Sequence, residues 1–84
     1  MSKGQYPMSS EVAEFPLLSG DEFVELYKVL KVQGLVDGGG AAKHVISEGF
    51  VKVNNEVDTR KRKKCVVGDV IEFNGEFIKI VASA

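Results

Sequence analysis

The chain has very few residues of the types that build catalytic, metal and disulfide sites. Its 84 residues include one cysteine, Cys65, one histidine, His44, and no tryptophan. A lone cysteine excludes an internal disulfide, and one Cys with one His falls short of the four ligands that a structural zinc site usually needs. The carboxylates are dispersed along the chain and pair with no recognisable nucleophile. We therefore predict that the protein is not an enzyme, holds no metal or cofactor, and takes no small-molecule substrate.

Long apolar runs are also absent. No apolar stretch approaches the roughly 18 residues of a membrane span, and residues 1–7 lack the apolar core of a signal peptide. With 44% hydrophobic residues and only two prolines the chain can still fold, and its length suits one domain. We expect a cytoplasmic monomer without membrane contact, made of a flexible tail over residues 1–14 and a single domain over residues 15–84.

The chain does have a strong segregation of charge. The formal net charge is only −1, yet residues 60–64 are five consecutive cations. The net charge is −4 over residues 1–25, +5 over residues 26–64 and −2 over residues 65–84. Because salt screens charges beyond about 8 Å in cells, a partner responds to the local patch rather than to the sum. A clustered basic face is typical of nucleic-acid binding.

Helical spacing dominates the first half of the chain. Residues 15–18 can form a short edge strand, a position that tolerates proline. The apolar residues from Phe23 onward recur mainly at helical intervals, which predicts a first helix ended by Gly34. Residues 23–26 could instead form a short strand, with the helix starting only near Leu26.

A second short helix is predicted over residues 41–48, ended by Gly49, after a flexible turn at residues 37–40. Its apolar residues recur at i, i+3 and i+4, so they would face the first helix and give a helix-turn-helix-like unit. The chain must bend sharply into this helix, so we predict a positive φ at Gly39 or Gly40.

After Gly49 the apolar period changes from helical to alternating, which predicts two β-hairpins. Their two-residue turns are Asn54-Asn55 and Asn74-Gly75, residue types that suit type I′ turns. The second turn would pair Ile71 with Ile78. The side chains then predicted on the core face are Ile71, Phe73, Ile78 and Ile80. The predicted fold class is α+β, with two short helices packed on a small, mainly antiparallel sheet of hairpins.

Five segments, in order and at compatible spacing, resemble the RNA-binding domain first described in ribosomal protein S-four, also called the alpha-L motif. They are LKVQGLV (30–36), GGGAAK (38–43), EGFVKVNNE (48–56), DTRKRKK (58–64) and GDVI (68–71). Short stand-alone bacterial members of the YbcJ type look most similar. The resemblance covers about residues 22–81 and implies two helices on a small curved sheet that recognise structured RNA without catalysis.

One departure from that family lies at the turn into the second helix. The family often has a Ser or Thr cap there, whereas this chain has Gly38 and Gly39. A glycine cap costs only a few tenths of a kcal/mol relative to serine, so the fold is unaffected, but any phosphate contact made by a cap hydroxyl is in doubt. Backbone N–H groups at such a helix start can still bind an anion.

We predict binding of structured RNA, either ribosomal or transfer RNA or a ribonucleoprotein, through a basic face made by the two helices and the connector at residues 60–64. The predicted RNA-binding residues are Lys31, Gly39, Lys43, Arg60, Lys61, Arg62, Lys63 and Lys64. Further candidates are Lys28, His44 and Lys52, although His44 also fits an ordinary surface position on its helix. Arginine can bind phosphate in a bidentate manner, which favours Arg60 and Arg62.

Other interpretations of the same residues remain open. The basic run could be a solvated loop or a nuclear localisation signal. It could also be the docking patch of a protein-interaction adaptor with an acidic partner, and the helix pair could bind double-stranded DNA. Tyr27 and the phenylalanines are interpreted mostly as core residues, which argues against stacking on single strands. Cys65 is expected to be a small buried hydrophobe, or a reactive thiol if it is exposed beside the cations.

Overall fold

The computed structural model describes residues 12–83, which form two helices, a five-stranded sheet and a two-stranded ribbon. The elements in chain order are β1 (Val12–Pro16), β2 (Val24–Glu25), α1 (Leu26–Val32), α2 (Gly39–Ser47), β3 (Val51–Val53), β4 (Glu56–Val57), β5 (Lys64–Cys65), β6 (Val70–Phe73) and β7 (Glu76–Val81). The larger sheet has the order β1-β7-β6-β3-β4, and β2 pairs with β5. Among these described strands, only the β1–β7 pairing is parallel. The predicted α+β class with a mainly antiparallel sheet is confirmed.

Both predicted hairpins form with the predicted turns. Asn54 and Asn55 have φ angles of 52° and 72°, and Asn74 and Gly75 have 55° and 81°. Positive φ at both central residues gives the type I′ geometry that matches the twist of the flanking strands. The β6–β7 register pairs Ile71 with Ile78, as predicted.

The ambiguity over residues 23–26 is settled in favour of a short strand followed by a helix. Val24 pairs with Cys65 in the β2–β5 ribbon, and α1 begins immediately afterwards at Leu26. This pairing partner lies about forty residues away in the chain, so local helical spacing could not reveal it. The end of α1 follows the prediction, since Gly34 has a φ of 74° just after the Gln33 C-cap.

The start of α2 differs from the prediction. The helix begins at Gly39, two residues early, and neither Gly39 nor Gly40 has a positive φ, so that prediction was wrong. The chain bends over residues 35–38, and the N-cap Gly38 has an extended backbone with a φ of 174°. Gly49, with a φ of 86°, ends the helix as predicted.

The predicted edge strand exists, but it lies earlier in the chain. It is β1, which lies at the edge of the larger sheet and pairs in parallel with β7, with Phe15 opposite Ile80. The predicted start of the domain at residue 15 therefore falls inside a strand that begins at Val12. Residues 1–11, the rest of the predicted tail, lie outside the described residues.

One face of the larger sheet packs against the helices. Ile71, Ile78 and Ile80 are buried there and Phe73 is partly buried, as predicted. The helices contribute Leu26, Val29, Leu30, Ala42 and Ile46, all fully buried. Fully burying a leucine, isoleucine or valine side chain stabilises the folded state by about 1.5–3 kcal/mol. Within the described part of the chain, neither helix is long and apolar enough to cross a membrane.

Candidate nucleic-acid interface

The basic connector is held against the start of α1 by backbone hydrogen bonds. Leu26 N–H donates to the Lys63 carbonyl at 2.9 Å, and Tyr27 N–H donates to the Lys61 carbonyl at 3.1 Å. The first N–H groups of a helix have no intrahelical acceptor, so the connector supplies the acceptors they need. Most of the connector side chains stay exposed, and only Lys63 is half-buried.

Tyr27 brings cations from two other elements together. The Lys43 Nζ of α2 lies 4.7 Å from the centroid of the Tyr27 ring, and the Arg62 Cζ of the connector lies 5.5 Å from it. Each distance is within the range of a cation–π interaction, which contributes about 0.5–1 kcal/mol at exposed sites. The half-buried ring therefore links α1, α2 and the connector at one point of the surface.

The start of α2 lies beside the same ring. A Cβ placed on Gly39 would lie 3.8 Å from Tyr27 Cε2 and 4.0 Å from Lys31 Cδ. The N-cap residue Gly38 makes no side-chain cap hydrogen bond, and the first turn carries no acidic residue. No carboxylate of the first turn therefore competes with an external anion for the first N–H groups of α2. We refer to Lys31, Gly39, Lys43 and Arg62 around Tyr27 as the cationic junction.

Arg60 has a different environment from the one predicted for it. Its Nε and Nη2 donate to the Asp58 carboxylate at 3.0 and 2.7 Å, and its backbone N–H donates to Asp58 Oδ1 at 2.9 Å. The hydrogen bonds from the Arg60 side chain lower the pKa of Asp58, against the opposing effect of burial. One edge of the guanidinium is therefore engaged by a carboxylate of the chain itself, while the Arg60 side chain is 71% exposed, so its role in RNA binding stays a prediction.

The other connector cations are less constrained. Arg62 donates one hydrogen bond, from Nη1 to Glu25 Oε1 at 3.1 Å, and its other donor groups can contact a ligand. Lys64 Nζ lies 5.0 Å from the centroid of the Phe23 ring. Lys61 and Lys63 form no ion pair with any of residues 12–83. The connector thus offers Lys61, Arg62, Lys63 and Lys64 beside the cationic junction.

The three further candidates do not all join this surface. Lys28 lines an apolar groove that the junction residues do not line, although it lies only three residues before Lys31 on α1. Lys52 alternates along β3 with buried core residues, so it lies on the opposite face of the sheet from the helices. His44 is exposed on α2, as expected of a surface residue.

The Cys65 thiol is buried. It is fully inaccessible to solvent, and burial, with a smaller effect of the Asp69 charge, raises its pKa to about 12. Its Sγ–H donates a weak hydrogen bond to the Lys63 carbonyl at 3.8 Å. The interpretation as a small buried hydrophobe is confirmed. Between residues 12 and 83, no group of three or more His, Cys, Asp or Glu side chains could hold a metal ion.

Sequence reasoning missed two residues of this surface. Tyr27 was interpreted as a core residue because it falls on the apolar spacing of α1, and the ring does pack partly against the core. Its contacts with cations were not predicted, although its i, i+4 relation to Lys31 is a signal that the two share a face. Asp58 was counted as a charge and as part of the DTRKRKK segment, without a contact to Arg60. An Asp two residues before Arg60 is the pattern of an Asx turn, in which the carboxylate accepts the backbone N–H two positions on.

The fold and the site together define a small α+β domain in which a helix pair and a cationic connector form one basic face. The chain belongs to the S4 domain family, whose model matches residues 17–81. This confirms the family expected from the sequence motifs.

Individual relatives agree with this assignment. The chain is similar to YbcJ of Escherichia coli (strain K12), with 46% identity over 59 residues that cover 70% of this chain and 84% of YbcJ. It is also similar to the "Probable ribosome maturation protein RlbA" of Bacillus subtilis (strain 168), with 40% identity over 60 residues that cover 71% of this chain and 84% of RlbA. The solution structure of E. coli YbcJ, which has an alpha-L motif involved in RNA binding, matches with a TM-score of 0.61 and 37% identity, covering 92% of this chain and 95% of YbcJ.

Proposed function

We propose that this protein binds structured RNA, without catalysis, through the cationic junction and the adjoining connector lysines. The observation that carries the proposal is the placement of Lys43 and Arg62 over the Tyr27 ring, at 4.7 and 5.5 Å. Cations from α2 and from the connector thereby lie on one surface, although they are far apart in the chain. The description of YbcJ as carrying a motif involved in RNA binding supports the same role.

The chemistry of the junction suits the phosphate backbone of RNA better than its base edges. Its side chains are mostly lysines, which act as point charges, together with one arginine whose fork is only partly engaged. The bases of double-stranded RNA lie in a deep, narrow groove that side chains cannot read, so proteins recognise such RNA mainly by shape and by backbone contacts. The Tyr27 ring is occupied by two cations and is therefore poorly placed to stack on an unpaired base.

The start of α2 adds a second kind of phosphate contact. Helix N-termini favour anions because their N–H groups point outward and the helix dipole is positive there. Gly39 lies beside both Tyr27 and Lys31, so a phosphate held by the lysine would also reach these N–H groups. The glycines at this turn leave room for the RNA backbone to approach closely.

One relative supports ribosomal RNA as the proposed ligand. RlbA is described as a ribosome maturation protein, which favours ribosomal RNA or its precursors as the ligand here. The alternative role, an adaptor whose basic patch docks an acidic protein, is distinguished by the salt dependence of binding. Neutralising roughly four to six phosphates gives a slope of log K against log [salt] near −3 to −5. A slope near zero would favour the adaptor.

The experiment that tests the proposal compares two triple variants with the same loss of charge. The junction variant is Lys31→Ser, Lys43→Ser and Arg62→Ser. The control variant is Lys28→Ser, Lys52→Ser and Lys79→Ser, whose residues lie outside the junction. Binding to purified bacterial ribosomal RNA is measured by fluorescence anisotropy at fixed salt, with circular dichroism to show that both variants fold.

We expect the junction variant to lose at least tenfold in affinity, since three phosphate contacts contribute about 1 kcal/mol each. The control should lose about threefold at most, through the general loss of positive charge. Equal losses in the two variants would show that net charge alone attracts RNA. A folded junction variant that binds as tightly as the parent would overturn the proposal.

A further inference from the structure

An apolar groove lies beside α1, next to the cationic junction. It runs between the end of β1 and the helix and has a volume of about 910 Å³. Residues from three parts of the chain line it, among them Phe15, Leu18, Phe23, Lys28 and Val32. None of the residues of the cationic junction lines it. The groove nevertheless borders the proposed RNA-binding face, because its residues Glu25 and Phe23 contact Arg62 and Lys64 of the connector.

The groove exposes large hydrophobic side chains. Leu18 is 75% exposed, Val32 is 64% exposed and Phe23 is 38% exposed. Such a cluster on one concave surface is unlike the scattered single hydrophobic residues that are normal on a protein surface, and it marks an interaction site. A small-molecule pocket would bury most of its ligand among enclosed side chains. Leu18 and Val32 stand too far into solvent for that, so the groove suits a larger, protein-like partner.

The rim of the groove is acidic. Residues 12–25 contain four carboxylates and no cation. Asp21 and Glu22 line the groove and form no ion pair with any described residue, whereas Glu25 is paired with Arg62. Lys28 is the only cation among the described residues that line the groove. Unpaired carboxylates beside exposed apolar side chains repel RNA phosphates and attract a segment that combines apolar and basic residues.

We propose that this groove docks a segment of a partner protein in which apolar side chains are flanked by Lys or Arg. The apolar side chains of the partner would cover Leu18, Phe23 and Val32, and its cations would pair with Asp21 and Glu22. Because α1 presents Tyr27 and Lys31 to the RNA-binding face and Lys28 and Val32 to the groove, one helix would serve both partners at once. The protein would then join an RNA to a basic protein through two adjoining surfaces.

The probe for this groove is a synthetic amphipathic peptide of 14 leucine and lysine residues with helical spacing. Its contacts are mapped on the full chain by two-dimensional amide NMR, and its affinity is measured by fluorescence anisotropy. One matched peptide replaces lysine with glutamate. Another keeps the composition of the probe but scrambles the order so that no apolar face forms. We expect the probe to shift amides of residues 17–25 and 28–33 and to bind at least fivefold more tightly than either matched peptide.

Variants of the chain distinguish binding in the groove from non-specific hydrophobic binding. The affinity for the probe should fall at least fivefold in the Leu18→Ser, Val32→Ser variant. Val66→Ser with Val67→Ser, which removes two exposed hydrophobic residues outside the groove, should leave its affinity within twofold. The affinity for the probe should fall about threefold in the Asp21→Asn, Glu22→Gln variant. It should not change in the Glu72→Gln, Glu76→Gln variant. Affinity for ribosomal RNA should be unchanged in the Leu18/Val32 variant, so this proposal and the RNA proposal can fail separately.

Several outcomes would overturn the docking proposal. Amide chemical-shift changes confined to residues outside the groove would contradict the proposed site. Equal affinity for the glutamate peptide and the lysine probe would contradict the proposed charge complementarity. Self-association of the parent that the Leu18/Val32 variant abolishes would assign the groove to a second copy of the chain. Probe binding that appears only after deletion of residues 1–11 would assign it to the N-terminus of the chain itself.

Discussion

Asp58 holds Arg60 through two side-chain hydrogen bonds, from Nη2 to Oδ2 at 2.7 Å and from Nε to Oδ1 at 3.0 Å. The carboxylate is nearly buried, while the guanidinium is largely exposed. The same carboxylate accepts the Arg60 backbone N–H, so one acidic residue shapes the beginning of the basic connector. This ion pair fixes the geometry of the backbone at the start of the connector.

The first prediction concerns Asp58. Its replacement by alanine should lower the free energy of unfolding by about 1–3 kcal/mol, because hydrogen bonds to a mostly buried charged group are lost. Chemical denaturation measures the change. Asp37→Ala is the matched control, since Asp37 is exposed and forms no ion pair among residues 12–83, and it should be neutral within about 0.5 kcal/mol.

The stabilisation by Asp58 should also depend on pH. The pKa of Asp58 in the folded state lies below its ordinary value of 3.8, so its contribution to stability is complete above about pH 4 and is lost as the pH falls further. The stability difference between the parent and Asp58→Ala should therefore be constant near neutral pH and shrink below pH 4. A difference that stays constant down to about pH 2 would contradict the assigned role of the carboxylate.

The second prediction concerns Tyr27. Replacing it with leucine keeps an apolar side chain but removes the aromatic face under Lys43 and Arg62, so RNA affinity should fall about three- to tenfold. Tyr27→Phe keeps that face and should bind within twofold of the parent. Anisotropy titrations with ribosomal RNA distinguish the two variants. If leucine and phenylalanine behave alike, the ring does not position the cations.

The third prediction concerns the glycines at the start of α2. A methyl group on Gly40 would meet no neighbour within 4 Å, and its φ is not positive, so Gly40→Ala should raise the stability by up to about 1 kcal/mol and the melting temperature by a few degrees. Gly39→Ala would make only an ordinary contact with the Tyr27 ring and should fold normally. If the RNA backbone approaches there, Gly39→Ala alone should weaken binding. Equal RNA affinity in both variants would place the phosphate elsewhere.

The fourth prediction concerns Cys65. Burial raises the pKa of its thiol to about 12, so the folded protein should resist alkylation by iodoacetamide at about pH 8, whereas the unfolded chain should react readily. Mass spectrometry measures both rates. Because the unfolded thiol ionises at a lower pH than the folded one, stability should be unaffected below about pH 8 and should decline as the pH rises toward 12. Rapid alkylation of the native protein would contradict the buried position.

The amino-acid sequence alone determined the local elements of this protein. The two Asn-containing turns specified both hairpins, because positive φ is easiest for Asn and Gly, and the alternating pattern then set the Ile71–Ile78 register. Gly34 and Gly49 marked the ends of the helices for the same reason. These features depend on residues close together in the chain, so they could be predicted from the sequence pattern. The spacing of the family motifs likewise pointed to the S4 domain.

Only the tertiary structure decided which side chains share a surface. The pairing of β1 with β7 joins segments more than sixty residues apart, and β2 pairs with β5 across about forty. The side-chain partners were not predicted from the sequence either. Arg60 forms an ion pair with Asp58, Arg62 forms one with Glu25, and Lys43 lies over the ring of Tyr27. The net charge of residues 26–64 does not distinguish one cation of this segment from another. Their roles differ because a hydrogen bond or a cation–π contact acts only over a few ångströms, a distance set by the folding of the whole chain.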